Sequence, residues 1–407
     1  MKKIRSFLQL RMPAGYDKGI HAAVIILMLF GSIMVISTSV GESVKDSMVV
    51  VKTIFKQLIF VILSYFVMSK IAVNFFKWKR QKNFDNKFLV LGIIVFGLLV
   101  ATLAFPGANG SKAWIYLPFG LGTIQPSEFA KTYLIILMGL TANHFGNKRV
   151  DLIQYMKRPV IFFIMFIIII FIQPDLGTLI VLGLLFAICF IIPSHGNLAP
   201  SQKIVKFALF GFVVLLGLTL TDFGIKLMGN IFGEGYKIRR FTDAANPFEN
   251  MYDTGYNLVY SLYAIANGGI TGLGIGGSEQ KFGYLPEAQT DFIISVTIEE
   301  LGLFGFLLIV LCYAVILYRL IYYAKRTKSD GYRLILIGCA SYLAIHFILN
   351  VGGVSALLPL TGVPLLLISA GGSSMLSISM LLGVCQSIIS MTKSQAKRAA
   401  EQRNPFR

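Results

Sequence analysis

The chain has 407 residues, 56% hydrophobic and 14% charged, with 37 lysines and arginines against 19 acids and a formal net charge of +18. Soluble domains carry about a quarter charged residues, so composition excludes an ordinary water-soluble fold. The positive charge lies in short segments between apolar runs, as in membrane-protein loops that face the cytoplasm, so anionic lipid rather than nucleic acid is the expected partner of these loops.

Taken in chain order, residues 1–18 form a basic segment (Lys2, Lys3, Arg5, Arg11, Lys18). The apolar run after it is too long for the h-region of a secretory signal and reads as a first membrane anchor. Spans of about 20 residues then fit near 19–40, 52–74, 87–105, 126–145, 158–173, 176–194, 204–231, 290–322, 332–352 and 364–391. The expected fold is an all-α polytopic membrane protein with about ten transmembrane helices. Residues 19–391 form its transmembrane domain and 392–407 a basic tail. An even number of spans puts both termini on one side. The segments on that side hold most of the lysines and arginines, which makes both termini cytoplasmic in a multi-pass inner-membrane protein.

Three segments then fall outside: 105–126, 232–290 and 352–364. The second, between spans seven and eight, is by far the longest, and long loops tend to carry function. The four cysteines (Cys189, Cys312, Cys339, Cys385) lie inside apolar runs and read as small core residues. No Cys/His spacing suggests structural zinc, and His21, His144, His195 and His346 are scattered.

Asp291 is the sharpest candidate for chemistry. It stands where the long outer loop meets an apolar helix, and desolvation at a membrane boundary raises a carboxyl toward the range a general base needs. Thr290 or Asp291 could equally cap that helix, and the two roles are compatible. Glu287 could orient Asp291 or bind a cation. Glu299 and Glu300, about two turns into the helix, need polar partners and read as a structural cluster. Asp175 reads as a helix cap in a Pro-Gly turn. Glu128 starts a span after Pro126 and Ser127, and Lys131, one turn inside, needs an anionic partner, either Glu128 or a lipid phosphate. Lys112, Lys131, Lys237, Arg239, Arg240 and Lys281 break the inside bias, and an anionic ligand on the outer face would explain them. Ion pairing with Glu234, Asp243, Glu249 and Glu287 is the plainer reading. The glycines of 268–278 read as a compact loop with close backbone approach. The Gly371-Gly372-Ser373-Ser374 run reads as tight packing or a broken helix.

Taken together, these segments resemble the SEDS family (shape, elongation, division and sporulation), which includes FtsW, RodA and SpoVE. The matching stretches occur in family order: Met34 to Ser39, Gln125 to Lys131, Gln173 to Thr178, Gly255-Tyr256-Asn257, Gly268-Gly269, Ser278-Glu279-Gln280-Lys281, Tyr284 to Phe292, Glu299-Glu300-Leu301-Gly302 and Leu358 to Ser374. Ser278 to Lys281, followed by Tyr284 to Ala288, resembles the division and sporulation branch more than the RodA branch. The resemblance implies a peptidoglycan glycosyltransferase polymerising lipid II during cell division, with Asp291 as the essential aspartate. A RodA-like elongation polymerase is the alternative within the family, and a lipid II flippase or a scaffold for a transpeptidase the alternatives outside it.

On that reading Glu287, Gln289, Thr290, Ser278 and Gln280 support the site, while Lys112, Lys131, Arg239, Arg240 or Lys281 stabilises the charge of an undecaprenyl-linked diphosphate, alone or with Mg2+ or Mn2+. No organic cofactor is expected. The implied partners are an undecaprenyl-diphosphate-linked glycan, a class B penicillin-binding transpeptidase and divisome membrane proteins. The chain departs from the family pattern at Gln289 (usually His), Ala370 (often Tyr), Leu366-Leu367 (often Pro-Phe), Ala113 (often basic) and Tyr260 (usually Gln).

Overall fold

The computed structural model describes residues 10–42, 48–107, 110–118, 122–145, 151–193, 196–219, 221, 223–224 and 236–403. Outside these fall the first nine residues, Lys45, Lys148, Arg149, His195, Glu234 and the last turns expected of the seventh span (225–231), together with the side chains of Lys237 and Arg239.

The described chain is a bundle of α-helices: α1 (Lys18–Glu42), α2 (Met48–Lys79), α3 (Phe84–Ala101), α4 (Pro126–Phe145), α5 (Leu152–Ile172), α6 (Leu176–Ile191), α7 (Ala199–Thr219), α8 (Tyr236–Ala245), α9 (Tyr256–Gly268), α10 (Ile293–Arg326), α11 (Asp330–Val354) and α12 (Gly372–Arg403). One two-stranded antiparallel hairpin, β1 (Ile115–Tyr116) and β2 (Thr123–Ile124), lies before α4. Eight of the described helices are long and apolar enough to cross a bilayer. Two more complete the expected ten. The first is α6, apolar but only 16 residues long. The second is α4, at 20 residues, whose Glu128 and Lys131 are covered by the bundle. Lipid supplies no hydrophobic force between helices, so close packing and internal polar bonds hold such a bundle.

The central layer is α10, α11 and α12. α10 lies between α1, α9 and α11, α11 packs on α4 and α6, and α12 runs along α2. Small residues allow the closest approach: a Cβ on Gly331 of α11 would stand 2.1 Å from the Gly139 carbonyl of α4. The periphery is thinly attached. Along α7 only Gln202 is buried, and its amide donates to the Phe190 and Pro193 carbonyls at the end of α6 (3.0 and 2.8 Å). Phe207, Phe210 and Val213 on the same helix are exposed, as lipid-facing residues should be.

Both ends of the bundle's chain meet at one face. Asp17, fully buried, caps α1 through the Ile20 N–H (3.0 Å), binds the Arg319 guanidinium and accepts from the Tyr323 hydroxyl (3.0 Å). Gln386 of α12 bonds the Asp17 backbone on both sides (2.8 and 3.0 Å), and Lys393 donates to the Tyr16 carbonyl (3.1 Å).

Two helices differ from expectation in their boundaries. The seventh span starts earlier, at Ala199, and its described helix runs to Thr219. The last helix begins at Gly372, not near 364, and runs on through the expected tail to Arg403. Residues 364–371 are apolar but irregular and mostly buried, with Leu367 at φ +69°. Irregular backbone at membrane depth survives only where protein satisfies it. Tyr313 donates to the Leu366 carbonyl (2.6 Å), the His346 ring bonds the Pro364 carbonyl (3.0 Å), and Ser369 accepts from the Leu365 N–H (2.9 Å).

Candidate active site

The segment 284–292 is held at the mouth of the bundle by alternate burial. Leu285, Ala288 and Phe292 are buried, whereas Glu287 is exposed and Asp291 half-buried. Glu287 adopts φ +58°, which turns its carbonyl toward the N–H groups of Thr290, Asp291 and Phe292 (3.1, 3.2 and 3.3 Å). The Thr290 hydroxyl donates to the Glu287 carboxylate (2.9 Å). Asn350 of α11 donates both to the Asp291 carbonyl (2.9 Å) and to the Val363 carbonyl (3.0 Å). Ser369 donates to the Thr290 carbonyl (2.7 Å), and the Ala370 N–H to the Gln289 carbonyl (2.9 Å). The backbone of Asp291 is thus clamped on two sides, which fixes where its carboxylate points.

That carboxylate accepts no hydrogen bond from the described residues, so the cap expected of Asp291 is not formed there. It faces bare backbone at Gly362, where a Cβ would come 3.6 Å from Oδ2. Its pKa is pushed up to about 7, first by burial and then by the charge of Glu287, with Asp175 adding to the rise and Arg240 working against it. Arg240 of α8 donates to the Leu360 carbonyl (2.9 Å) on the segment that passes over Asp291. Asp175 caps α6 through the Thr178 N–H (3.0 Å), as its turn predicts, and accepts from the Gln125 amide (3.0 Å). Lys112 is exposed, its N–H bonded to the Gln173 carbonyl (3.3 Å), which sets it on the rim beside Asp175. The structure therefore gathers Asp291, Glu287, Asp175 and Arg240 around one mouth, with the Lys112 backbone tied to the turn that carries Asp175. Arg239 shares α8 with Arg240.

Two predicted anion ligands lie elsewhere. Lys131 is buried, bonding Glu128 (2.6 Å) and the His346 ring (3.2 Å). Tyr342 donates to the same Glu128 carboxylate, and Ser377 to its carbonyl (2.7 Å). Lys281 is closed in with Glu300 (2.8 Å), Ser37 (3.2 Å) and the Gly276 carbonyl (2.8 Å). Neither ammonium is presented to an outer ligand, because each lies one hydrogen bond from a buried carboxylate that would otherwise stand uncompensated. Ser278 belongs to the same interior, donating to Glu299. Gln280 is buried, its carbonyl accepting from Leu285 N–H (2.9 Å), so it supports the site segment from behind. Gln289 contributes its backbone oxygen. Glu128, Glu299 and Glu300 thus each bond side chains of the interior.

The glycine loop has a concrete task. α10 breaks at Gly302 (φ +61°), freeing the Glu299 and Glu300 carbonyls. Leu273 and Gly274 N–H groups take them up (2.9 Å each), and Leu303 N–H bonds back to the Ile270 carbonyl (3.1 Å). A Cβ at Gly302 would meet the Ile270 oxygen at 2.2 Å.

Sequence reasoning missed His346, Tyr342, Asn350, Ser369 and Ser37. The i, i+4 spacing of Tyr342, His346 and Asn350, a polar stripe on an apolar helix, was the available signal. Among the described residues no three His, Cys, Asp or Glu side chains gather to hold a metal. Any Mg2+ or Mn2+ would be held chiefly by phosphate oxygens with one or two carboxylates.

The family model described as "Cell cycle protein", covering FtsW, RodA and SpoVE, matches residues 18–394. The chain belongs to this family. It is 30% identical over 393 residues to the probable peptidoglycan glycosyltransferase FtsW of Bacillus subtilis, covering 96% of this chain and 95% of that protein. It is 34% identical over 376 residues to stage V sporulation protein E of the same organism, covering 88% and 93%. A peptidoglycan synthase complex coordinating polymerization and crosslinking contains a chain that shares its fold, with a TM-score of 0.66 at 20% identity over 93% of this chain and 99% of that one. Thermus thermophilus RodA does so with a TM-score of 0.55 at 20% identity, over 92% and 97%.

Proposed function

We propose that this chain is a peptidoglycan glycosyltransferase that polymerises lipid II on the outer face of the cytoplasmic membrane. The observation that carries the reading is Asp291: a carboxylate fixed by its backbone, without a hydrogen-bond donor among the described residues, and tuned to about 7 beside Arg240. A general base works best with a pKa near the working pH. The family relationship and the relative named as a probable peptidoglycan glycosyltransferase support the same chemistry.

Asp291 accepts the proton of the acceptor sugar's 4-hydroxyl. That oxygen forms the new bond to the donor's anomeric carbon as the bond to the diphosphate breaks. Undecaprenyl diphosphate leaves with the electron pair, and a single displacement inverts the anomeric centre. Arg240 and Lys112, with Arg239 from the same helix, offset the charge that develops on the leaving diphosphate. Both lipid tails remain in the bilayer, which accounts for an enzyme buried there. The basic ends formed around Asp17, Arg319 and Lys393 face the cytoplasm, and the 284–292 segment faces outward. A class B penicillin-binding transpeptidase is the proposed partner, with divisome membrane proteins, and septal synthesis is the proposed setting.

The test is purified protein, with and without that transpeptidase, supplied with lipid II. Glycan strands are expected. Headgroup translocation across vesicles without polymerisation would replace this reading with a flippase.

A further inference from the structure

Four tyrosines form a continuous aromatic strip on the outer loop. Tyr256, Tyr260 and Tyr263 occupy one face of α9 at i, i+4 and i+7, a length of about 10 Å at the helical rise. Their rings touch in sequence, with centroids 4.4 Å apart for Tyr256 and Tyr260 and 5.9 Å for Tyr260 and Tyr263. Tyr284, from the active-site segment, stacks on Tyr260 at 5.7 Å and 17° between planes. The back of α9 is fixed inward, where Leu258 is buried and Ser261 donates to the Val354 carbonyl (2.8 Å), and buried Val259 and Ala264 flank the tyrosines on either side. Tyr256 and Tyr260 are partly buried, Tyr260 against the core, so the open part of the strip is Tyr263 (40% exposed) and Tyr284 (51% exposed).

Interfacial tyrosines commonly anchor proteins at lipid headgroups, but this surface has the wrong charge for that role. Residues 241–280 contain no lysine or arginine, whereas Glu249, Asp253 and Glu279 stand exposed among them. Such a surface disfavours phospholipid headgroups and diphosphates alike. It suits neutral sugar rings: the negative face of an aromatic ring attracts the positively polarised C–H edge of a pyranose.

Resting on the polymerase reading, we propose that Tyr256, Tyr260, Tyr263 and Tyr284 form a saccharide-binding strip that holds the nascent glycan strand beside Asp291 between additions. Tyr284 connects the strip to the reaction through the segment it shares with Asp291. A growing strand retained there stays bound through successive transfers.

The experiment uses the full chain with its transpeptidase in nanodiscs, supplied with lipid II, and compares wild type with Tyr263→Ala, Tyr260→Ala/Tyr263→Ala and Tyr263→Phe. Strand length is read on gels and the first transfer as the tetrasaccharide product. Tyr263→Ala is the safeguard against misfolding, since that ring is exposed. The double variant is expected to shorten strands about tenfold, the factor matching roughly 1.4 kcal/mol of lost retention, with the first transfer unchanged and Tyr263→Phe like wild type. Binding of a β-1,4-linked N-acetylglucosamine tetramer to Asp291→Asn protein, followed by saturation-transfer NMR, should weaken in parallel. Unchanged strand length in both alanine variants would overturn the proposal, as would loss of transpeptidase co-purification at normal strand length, which would assign the strip to a protein partner. If wild type makes no strands while the tetramer still binds at the tyrosines, the polymerase reading fails and the saccharide strip stands.

Discussion

The ionisation of Asp291 gives the sharpest handle on the chemistry. Its carboxyl is displaced from 3.8 to about 7, which corresponds to roughly 4 kcal/mol against ionisation, an upper bound given partial solvent access. As a base it must be deprotonated, so kcat/KM for polymerisation should rise about tenfold per pH unit below 7 and level off above it. Neighbouring charges should move that midpoint in opposite directions. Glu287→Gln removes a negative charge that raises the Asp291 pKa and should lower the midpoint, by about half a unit to one unit. Arg240→Gln removes the charge that lowers it and should raise the midpoint by a similar amount, whatever it does to the plateau. The assay is the initial rate of strand formation from lipid II between pH 5 and pH 9. A flat wild-type profile, or a shift of both variants in the same direction, would refute the reasoning.

Other residues give independent tests. Lys281→Met strands Glu300 in the interior and should cost about 3–5 kcal/mol, whereas Lys281→Met/Glu300→Leu should recover much of that loss; thermal unfolding in detergent reads both, and a neutral single variant would contradict the buried pair. Gly302→Ala forces a side chain onto the Ile270 carbonyl at a positive φ and should abolish the folded, monodisperse species on gel filtration. If Mg2+ or Mn2+ arrives with the diphosphate, EDTA should suppress strand formation reversibly while leaving Tm unchanged, and a fall in Tm would point to a metal held by the protein itself.

Much of this arrangement was legible in the chain. Span 126–145 matches α4 at both ends, because Pro126 and Ser127 announce the start. Asp291 and Glu287 were legible from their place at the end of a polar loop, and Asp175 from its turn. What the sequence could not disclose depends on partners distant along the chain. Residues 364–371 have the composition of a span, and bonds to distant groups, such as those from Tyr313 and His346, make their irregular path possible. Lys281 looks like an outer cation until Glu300, nineteen residues on, and Ser37, on the first helix, close around it. Lys131 is covered in the same way by His346 and Glu128. Hydropathy places a charge relative to the membrane, but tertiary packing decides whether it remains available.

The most direct measurement is single-turnover transfer from lipid II by Asp291→Asn protein whose Tm and transpeptidase binding match wild type. Asparagine keeps the shape and the backbone clamp but cannot take a proton. Sugar transfer should be lost by several orders of magnitude, on the order of 10²–10⁴. Transfer at the wild-type rate would contradict the assignment of Asp291 as the base.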